Sequence, residues 1–265
     1  MKATIYNEPC ETTISKIEDN SLDLVLTSPP YFGLRSYGNE TLGREEKPQD
    51  YIDNLVSILD SLRTKIKEDG NLLLNVADVY FGTKGFSRST GKFVRKTSEH
   101  YKEHKITKPD GKWLQHKQLL LLPPRIAIAL QERGWLLRNT IVWEKTNAMP
   151  SYSADRRLPC WEYWLHLTPN NKNYFDYAQA KTLGHHRDVF RTSVKPFRGH
   201  PASFSQEVIE PLIKIYSREG GVVYDPFLGS GTTAIVSLLN NREAIGSEIN
   251  EEYYNLTIKN MEILK

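Results

Sequence analysis

Asp225-Pro226-Phe227-Leu228-Gly229-Ser230-Gly231-Thr232-Thr233-Ala234 lies between an apolar run, Gly221–Tyr224, and an amphipathic one, Thr232–Asn241. A strand, a glycine turn and a helix in that order put unpaired helix N–H groups beside a turn without side chains, which suits a nucleotide-like ligand. Gly229-x-Gly231-x-x-Ala234 is that turn, and the next apolar run, Glu243–Ser247, leads into Glu248. An acid there is close to the position that takes ribose hydroxyls in dinucleotide sites. A nicotinamide-dependent dehydrogenase fits this stretch as well, and a glycine turn can also serve tight packing alone. A P-loop is excluded, because no Gly-Lys-Ser/Thr follows.

Asp225 discriminates among these ligands. A carboxylate directed into the loop repels a pyrophosphate, but it pairs with the ammonium of an amino-acid-bearing nucleoside such as S-adenosylmethionine. A turn-capping aspartate is the structural alternative.

Working outward, apolar runs alternate with amphipathic stretches, the pattern of an α/β chain with a largely parallel sheet. The spacing predicts strands at Ala3–Tyr6, Leu22–Thr27, Asn71–Val76, Leu136–Trp143, Tyr163–Leu167, Gly221–Tyr224 and Glu243–Ser247. Helical spacing marks Tyr51–Lys67, Gln118–Arg133, Gln206–Ser217, Thr232–Asn241 and Glu251–Ile263, with Gly70, Gly134 and Gly220 expected as helix stops. Phe81–Trp113 has no period and reads as a long loop or insertion.

With 265 residues, 39% apolar and 25% charged, the chain reads as one large domain able to bury its own core. Two cysteines, Cys10 and Cys160, make neither a disulfide framework nor a cysteine-rich zinc site. No metal site is expected. The first residues lack a signal-peptide pattern and no run reaches the roughly 18 apolar residues of a membrane span, so a cytoplasmic protein with no membrane association is expected. The net charge of +3 is unevenly spread. Lys84–Lys117 holds ten Lys/Arg against three acids, an excess that leaves the remainder net acidic. A second excess lies at Lys181–Arg198, with Arg187, Arg191 and Lys195 against Asp188. Such patches suit a phosphate backbone, and a solvated loop is the other reading.

A second constellation, Thr27-Ser28-Pro29-Pro30-Tyr31, follows the apolar run Leu22–Leu26. Two prolines remove two N–H donors and stiffen the backbone, leaving carbonyls directed outward as acceptors. A hydroxyl, a rigid carbonyl and an aromatic ring together can grip a planar group bearing an NH2. An ordinary strand-ending turn with a buried tyrosine remains open for Pro-Pro-Tyr alone.

Ser28-Pro29-Pro30-Tyr31 early and Asp225-Pro226-Phe227-x-Gly229-Ser230-Gly231-Thr232 late resemble the amino-group DNA methyltransferases whose catalytic half precedes the cofactor half. The resemblance runs through nearly the whole chain. Gly134-Trp135-x-x-Arg138-Asn139-x-Ile141-Val142-Trp143-x-Lys145-x-Asn147-x-Met149-Pro150 and Trp161-Glu162-Tyr163 resemble the family's middle blocks. His200-Pro201-Ala202-Ser203-Phe204-Ser205 resembles its cofactor-side entry.

The resemblance implies a doubly wound, mostly parallel, Rossmann-like sheet of seven strands spanning residues 1–265 as one methyltransferase domain. It carries a basic insertion at 84–117 and a candidate small target-recognition region at about 170–199, a role that the basic insertion could supply instead. S-adenosylmethionine would lie at the topological switch point. Asp225, Phe227, Gly229, Gly231 and Thr232 would surround it, Glu248 would accept from its ribose, and Ser203, Phe204 and Ser205 would close the pocket. Ser28 and the Pro29 carbonyl, with Pro30 stiffening the segment, would hold the target amine, and Tyr31 would stack on a base swung out of double-stranded DNA. The family's Ser-Pro-Pro-Tyr goes mostly with cytosine N4, and adenine N6 is the alternative. Carbon-5 cytosine methylation needs a cysteine nucleophile with a nearby acid, and neither Pro9-Cys10 nor Pro159-Cys160 supplies one. A release-factor glutamine methyltransferase would carry Asn at position 28 and the reverse motif order. A catalytically silent DNA-binding subunit conflicts with intact motifs.

The resemblance further implies a monomer or homodimer, with a cognate restriction endonuclease as a functional partner, in a prokaryotic or phage-like setting. Two departures stand out. Relatives often carry Asp just before the first cysteine, whereas this chain has Asn7-Glu8-Pro9-Cys10, leaving adenine recognition to Asn7 or Glu8. Ser205 stands where proline is common. His185-His186-Arg187-Asp188 reads as surface or DNA-facing, His100 and His104 make no convincing metal pair, and Trp143, Trp161 and Trp164 are expected in the core, with an aromatic beside Tyr31 as a wall of the base pocket the alternative.

Overall fold

The computed structural model describes residues 1–33, 42–81, 108–148, 154–193 and 205–262. Their elements run β1 (Ala3–Tyr6), α1 (Cys10–Lys16), β2 (Leu22–Thr27), α2 (Pro48–Ser61), β3 (Ile66–Val76), α3 (Leu122–Glu132), β4 (Leu136–Lys145) and β5 (Trp161–Thr168). There follow α4 (Tyr177–Thr182), β6 (Val189–Thr192), α5 (Gln206–Tyr216), β7 (Val222–Asp225), α6 (Thr232–Leu239), β8 (Glu243–Ser247) and α7 (Glu251–Glu262).

One sheet of eight strands, ordered β1-β8-β7-β2-β3-β5-β4-β6, forms the middle layer. Every neighbouring pair is parallel except the two made by β5, which therefore runs alone against the rest. All six residues of β2 are buried, as a central strand covered on both faces requires. Alternate residues of the strands feed two cores. Leu72, Leu74, Leu165 and Tyr224 join α1, α2 and α3 on one face, while Leu24, Leu26, Leu73 and Val223 join α4, α5 and α6 on the other.

Seven of the eight strands are the expected ones: β1, β2 and β8 keep the expected bounds, β7 is shifted by one residue, and β3, β4 and β5 are two to five residues longer. The eighth, β6, comes from the 170–199 stretch and pairs with β4 from Val142↔Val189 to Lys145↔Thr192. The 4-residue β6 has no apolar run to betray it, and its partner strand creates it. Helices α1 and α4, of 7 and 6 residues, are too short for periodicity to reveal.

The expectation of a helix reaching Lys67 and stopping at Gly70 is corrected. Helix α2 ends at Ser61, and Gly70 lies inside β3. Pairing of Ile66 with Leu22 recruits these residues into the sheet. A Cβ on Gly70 would stand 2.8 Å from the Leu22 carbonyl oxygen, so glycine here serves close strand approach. Gly134, with φ +89°, does end α3 as expected. Gly220, with φ +74°, lies beyond the α5 C-cap Ser217, in the turn into β7.

The chain leaves β2 for β3 on one side and β7 for β8 on the other, so the strand order reverses between β2 and β7. Ligands of open α/β sheets bind at such a point, outside the carboxyl ends of the strands. Because β5 runs backward, its first residues, Trp161 and Glu162, reach that same edge.

Candidate active site

The reversal point is bridged by one hydrogen bond. Thr27 Oγ1, at the end of β2, donates to Asp225 Oδ1, at the end of β7, over 2.6 Å. The same oxygen accepts from the Phe227 backbone N–H at 3.0 Å, and Oδ2 accepts from Thr233 Oγ1 at 2.7 Å. Asp225 is thus both the loop-shaping aspartate of the structural alternative and a carboxylate at the ligand edge. Burial raises its pKa to about 6 against these three donors, which favour the ionised form.

Glu248 follows β8. Its Oε2 accepts from the Gly229 N–H at 2.7 Å and its Oε1 from the Asn250 N–H at 2.8 Å. Burial raises its pKa to about 7, backbone donation opposes this, and the charge of Asp225 adds to it. The glycine turn is fastened from behind by α7, a helix whose sequence alone suggests no such role. Thr257 Oγ1 donates to the Gly229 carbonyl at 2.9 Å and Asn260 Nδ2 to the Ser230 carbonyl at 3.2 Å. Gly231 has φ +87°, and a Cβ there would lie 2.6 Å from Thr257 Cγ2. Gly229, at φ +59°, would instead point a Cβ into open space.

A carboxylate offers about four acceptor positions. Among the described residues three are filled on Asp225 and two on Glu248, which leaves one for an ammonium N–H and two for a pair of hydroxyls. Ser205 Oγ, Ser230 Oγ and Thr232 Oγ1 are buried without a hydrogen-bond partner among the described residues. Buried hydroxyls left unpaired are costly, so the three ask for polar ligand atoms. Ser205 is also the N-cap of α5. Ser203 and Phe204 lie outside the described residues, as do His100, His104 and most of the 84–117 segment.

Ser28-Pro29-Pro30-Tyr31 leaves β2 beside this cradle. Among the described residues no donor is bonded to the Pro29 carbonyl. The expectation of two outward acceptors is corrected at Pro30, whose carbonyl accepts from Tyr51 Oη at 3.0 Å. Tyr31 is half-buried, and its hydroxyl lies deep, donating toward Asn75 Oδ1 at 2.8 Å and Glu162 Oε2 at 3.1 Å. Ser28 Oγ lies 3.4 Å from both Asn75 Oδ1 and the Tyr31 oxygen. Lys145 Nζ pairs with Glu162 Oε1. Asn75, Lys145 and Glu162 carry no role in the sequence reading. Their signals are slight: a polar residue inside an apolar strand, and two positions within the middle blocks.

Other expectations divide. Trp143 and Trp164 are buried, whereas Trp161 is 43% exposed and corrects the core assignment. Cys10 is buried, and burial pushes its thiol far above the usual range, the reverse of a nucleophile. Glu8 is engaged by Lys16 and Thr13, while Asn7 Nδ2 donates to the Glu248 carbonyl at 2.8 Å and so ties β1 to the cradle. His185 packs against Phe190. No cluster of metal-ligating side chains occurs among the described residues, and no helix there is long and apolar enough to cross a membrane.

Comparison with known proteins identifies the family. Residues 22–259 match the N6/N4 methyltransferase family, described as DNA methylase. The type II methyltransferase M.Cfr9I of Citrobacter freundii is 35% identical, over 98% of this chain and 88% of its own. M.SmaI of Serratia marcescens is 36% identical, over 92% and 85%. Among solved structures, the cytosine-N4-specific PvuII DNA methyltransferase superposes with TM-score 0.76 at 18% identity, covering 97% of this chain and 86% of that one. TTHA0409 of Thermus thermophilus, complexed with S-adenosyl-L-methionine, gives 0.68 at 21%, covering 98% and 93%. At such identities these two speak for the fold.

Proposed function

Because the chain belongs to the N6/N4 family of DNA methylases, we propose that it is a type II enzyme transferring a methyl group from S-adenosylmethionine to N4 of cytosine in double-stranded DNA. Family membership displaces the nicotinamide-dependent dehydrogenase. The observation that carries the proposal is the Thr27–Asp225 hydrogen bond, which sets the amine-gripping segment directly against the glycine cradle. S-adenosylmethionine, when bound, supplies a methyl group on a positively charged sulfonium.

The residues of this chain do the positioning. Asp225 accepts from the ligand ammonium and Glu248 from the ribose hydroxyls, in the acceptor positions that the loop leaves vacant. Phe227, Gly229, Gly231 and Thr232 line the cradle, and Ser205 closes it together with Ser203 and Phe204. Ser28 Oγ and the Pro29 carbonyl accept the two N–H groups of the target amine. Accepting both returns lone-pair density from the ring to nitrogen, the charge redistribution that in-line attack requires. The Tyr31 ring, pinned at its hydroxyl, walls the space for a flipped base. Lys145 and Glu162 belong to its support, and the stretch at 170–199 reads the target sequence. The choice of cytosine N4 rests on Ser28, since Ser-Pro-Pro-Tyr goes mostly with that base in the family.

Labelled S-adenosylmethionine and unmethylated genomic DNA test this. Label in N4-methylcytosine is expected. Label in N6-methyladenine would overturn the base assignment and keep the chemistry, and no label in DNA would overturn the reading itself. Variants sort the roles. Ser28→Ala should lower methyl transfer about 100-fold or more with cofactor binding nearly unchanged. Asp225→Ala should abolish cofactor binding first, and equal losses of binding in both variants would refute this division.

A further inference from the structure

The two hydroxyls of the catalytic segment face acceptors on their inner side. Asn75 Nδ2 donates to the Tyr163 carbonyl at 2.9 Å, and this turns its Oδ1 toward Ser28 and Tyr31. That oxygen stands 2.8 Å from the phenol and 3.4 Å from Ser28 Oγ. On the other side of the phenol stands Glu162 Oε2, at 3.1 Å, while the second oxygen of Glu162 is held by Lys145 Nζ. An amide oxygen and a carboxylate accept hydrogen bonds and do not donate them. Both hydroxyl protons are therefore drawn inward. The Tyr31 proton goes to Asn75 or Glu162, and that of Ser28 goes to Asn75 or to the phenol oxygen.

Building on the methyltransferase reading above, we propose that Asn75 and Glu162 are positioning residues that hold the hydroxyl protons of Tyr31 and Ser28 inward, so that Ser28 Oγ presents only lone pairs to the substrate amine. Lys145 steadies Glu162 in that task. Without these acceptors the Ser28 hydroxyl is free to rotate and aim its proton at the amine, where a donor opposes an N–H donor and supplies no push to the ring. Burial and the adjacent Glu162 charge hold the Tyr31 phenol well above the ordinary tyrosine range, which keeps it a donor in this chain. One strand geometry makes the arrangement possible: only the reversed β5 brings its opening residues to the carboxyl edge of β2 and β3.

The test uses the full chain as wild type, Glu162→Gln, Tyr31→Phe and the double variant. Each single change should lower the single-turnover methylation rate about 10- to 100-fold, the worth of one charge-assisted hydrogen bond. DNA KM and cofactor affinity should stay within about threefold, and the double variant should be no slower than the slower single one. In free protein carrying [13Cζ]tyrosine, the Tyr31 resonance, assigned by its loss in Tyr31→Phe, should move in Glu162→Gln. An unmoved resonance, additive losses in the double variant, or losses mirrored in cofactor affinity would each overturn the proposal. A wild type that places no methyl on DNA would overturn the functional reading instead, and the resonance would still decide whether the hydroxyl network exists.

Discussion

Asp225 and Glu248 are buried acids that bind protons more tightly folded than unfolded, with pKa values near 6 and 7. His166 is the opposite case. Burial, with the charge of Arg138 adding to it, lowers its pKa to about 3, and its Nε2 bonds Asn71 Oδ1 at 2.8 Å. The signs follow from linkage. The carboxylate contributions to stability are complete below the ordinary carboxylate range and are lost as pH rises through 6 and then 7. That of His166 is present above the ordinary histidine value and is lost as pH falls toward 3. Comparing variant with wild type isolates one group from this sum. From about pH 5 to 8, wild type should lose more stability than Glu248→Gln, by about 1–3 kcal/mol. Urea unfolding midpoints at both ends check this, and parallel profiles would refute it. Neither shift was visible in the chain, since a carboxylate at a strand end reads the same whether it is dry or wet.

The glycine turn is the element whose shape the cradle depends on, and α7 holds it there. Gly231 cannot gain a side chain without meeting Thr257, and its φ of +87° is one that L residues rarely adopt. Gly231→Ala should therefore destabilise the fold by about 1–3 kcal/mol and weaken cofactor binding. Thr257→Ala removes the hydrogen bond to the Gly229 carbonyl together with the methyl group that a side chain at position 231 would meet. It should cost about 1 kcal/mol and relieve part of the strain when combined with Gly231→Ala. Thermal unfolding of the three variants decides, and simple additivity would exclude the contact. Periodicity located β2 and β7 because buried parallel strands are near-continuous apolar runs. It overran α2 and missed β6, because in both places pairing with another strand overrode the local pattern.

Across the molecule, the positive charge is unevenly placed along the chain. The ten basic residues of Lys84–Lys117 stand in a chain whose net charge is only +3. If they neutralise phosphates, changing Lys102, Lys105, Lys108 and Lys112 to Gln should flatten the salt dependence of DNA binding. Each phosphate left without its lysine should reduce the slope by up to about 0.9, with cofactor affinity untouched. An unchanged slope would move the phosphate contacts to Lys181–Arg198. The chemistry of the two motifs was legible in the chain alone, because Ser28-Pro29-Pro30-Tyr31 and Asp225 to Thr232 are contiguous and their reactive groups follow from residue type and backbone stiffness. The layered α/β class was legible for the same local reason, through apolar periods. The partners of those groups were not legible. Thr27 meets Asp225 across 198 residues, Tyr31 meets Glu162 across 131, and Glu248 reaches the N–H of Gly229 only because β8 lies beside β7. Strand order and the single reversed strand set those distances. They also set which carboxylates are dry and which lone pairs remain for a ligand, because burial and hydrogen bonding are properties of what surrounds a residue in space, which its neighbours along the chain do not determine.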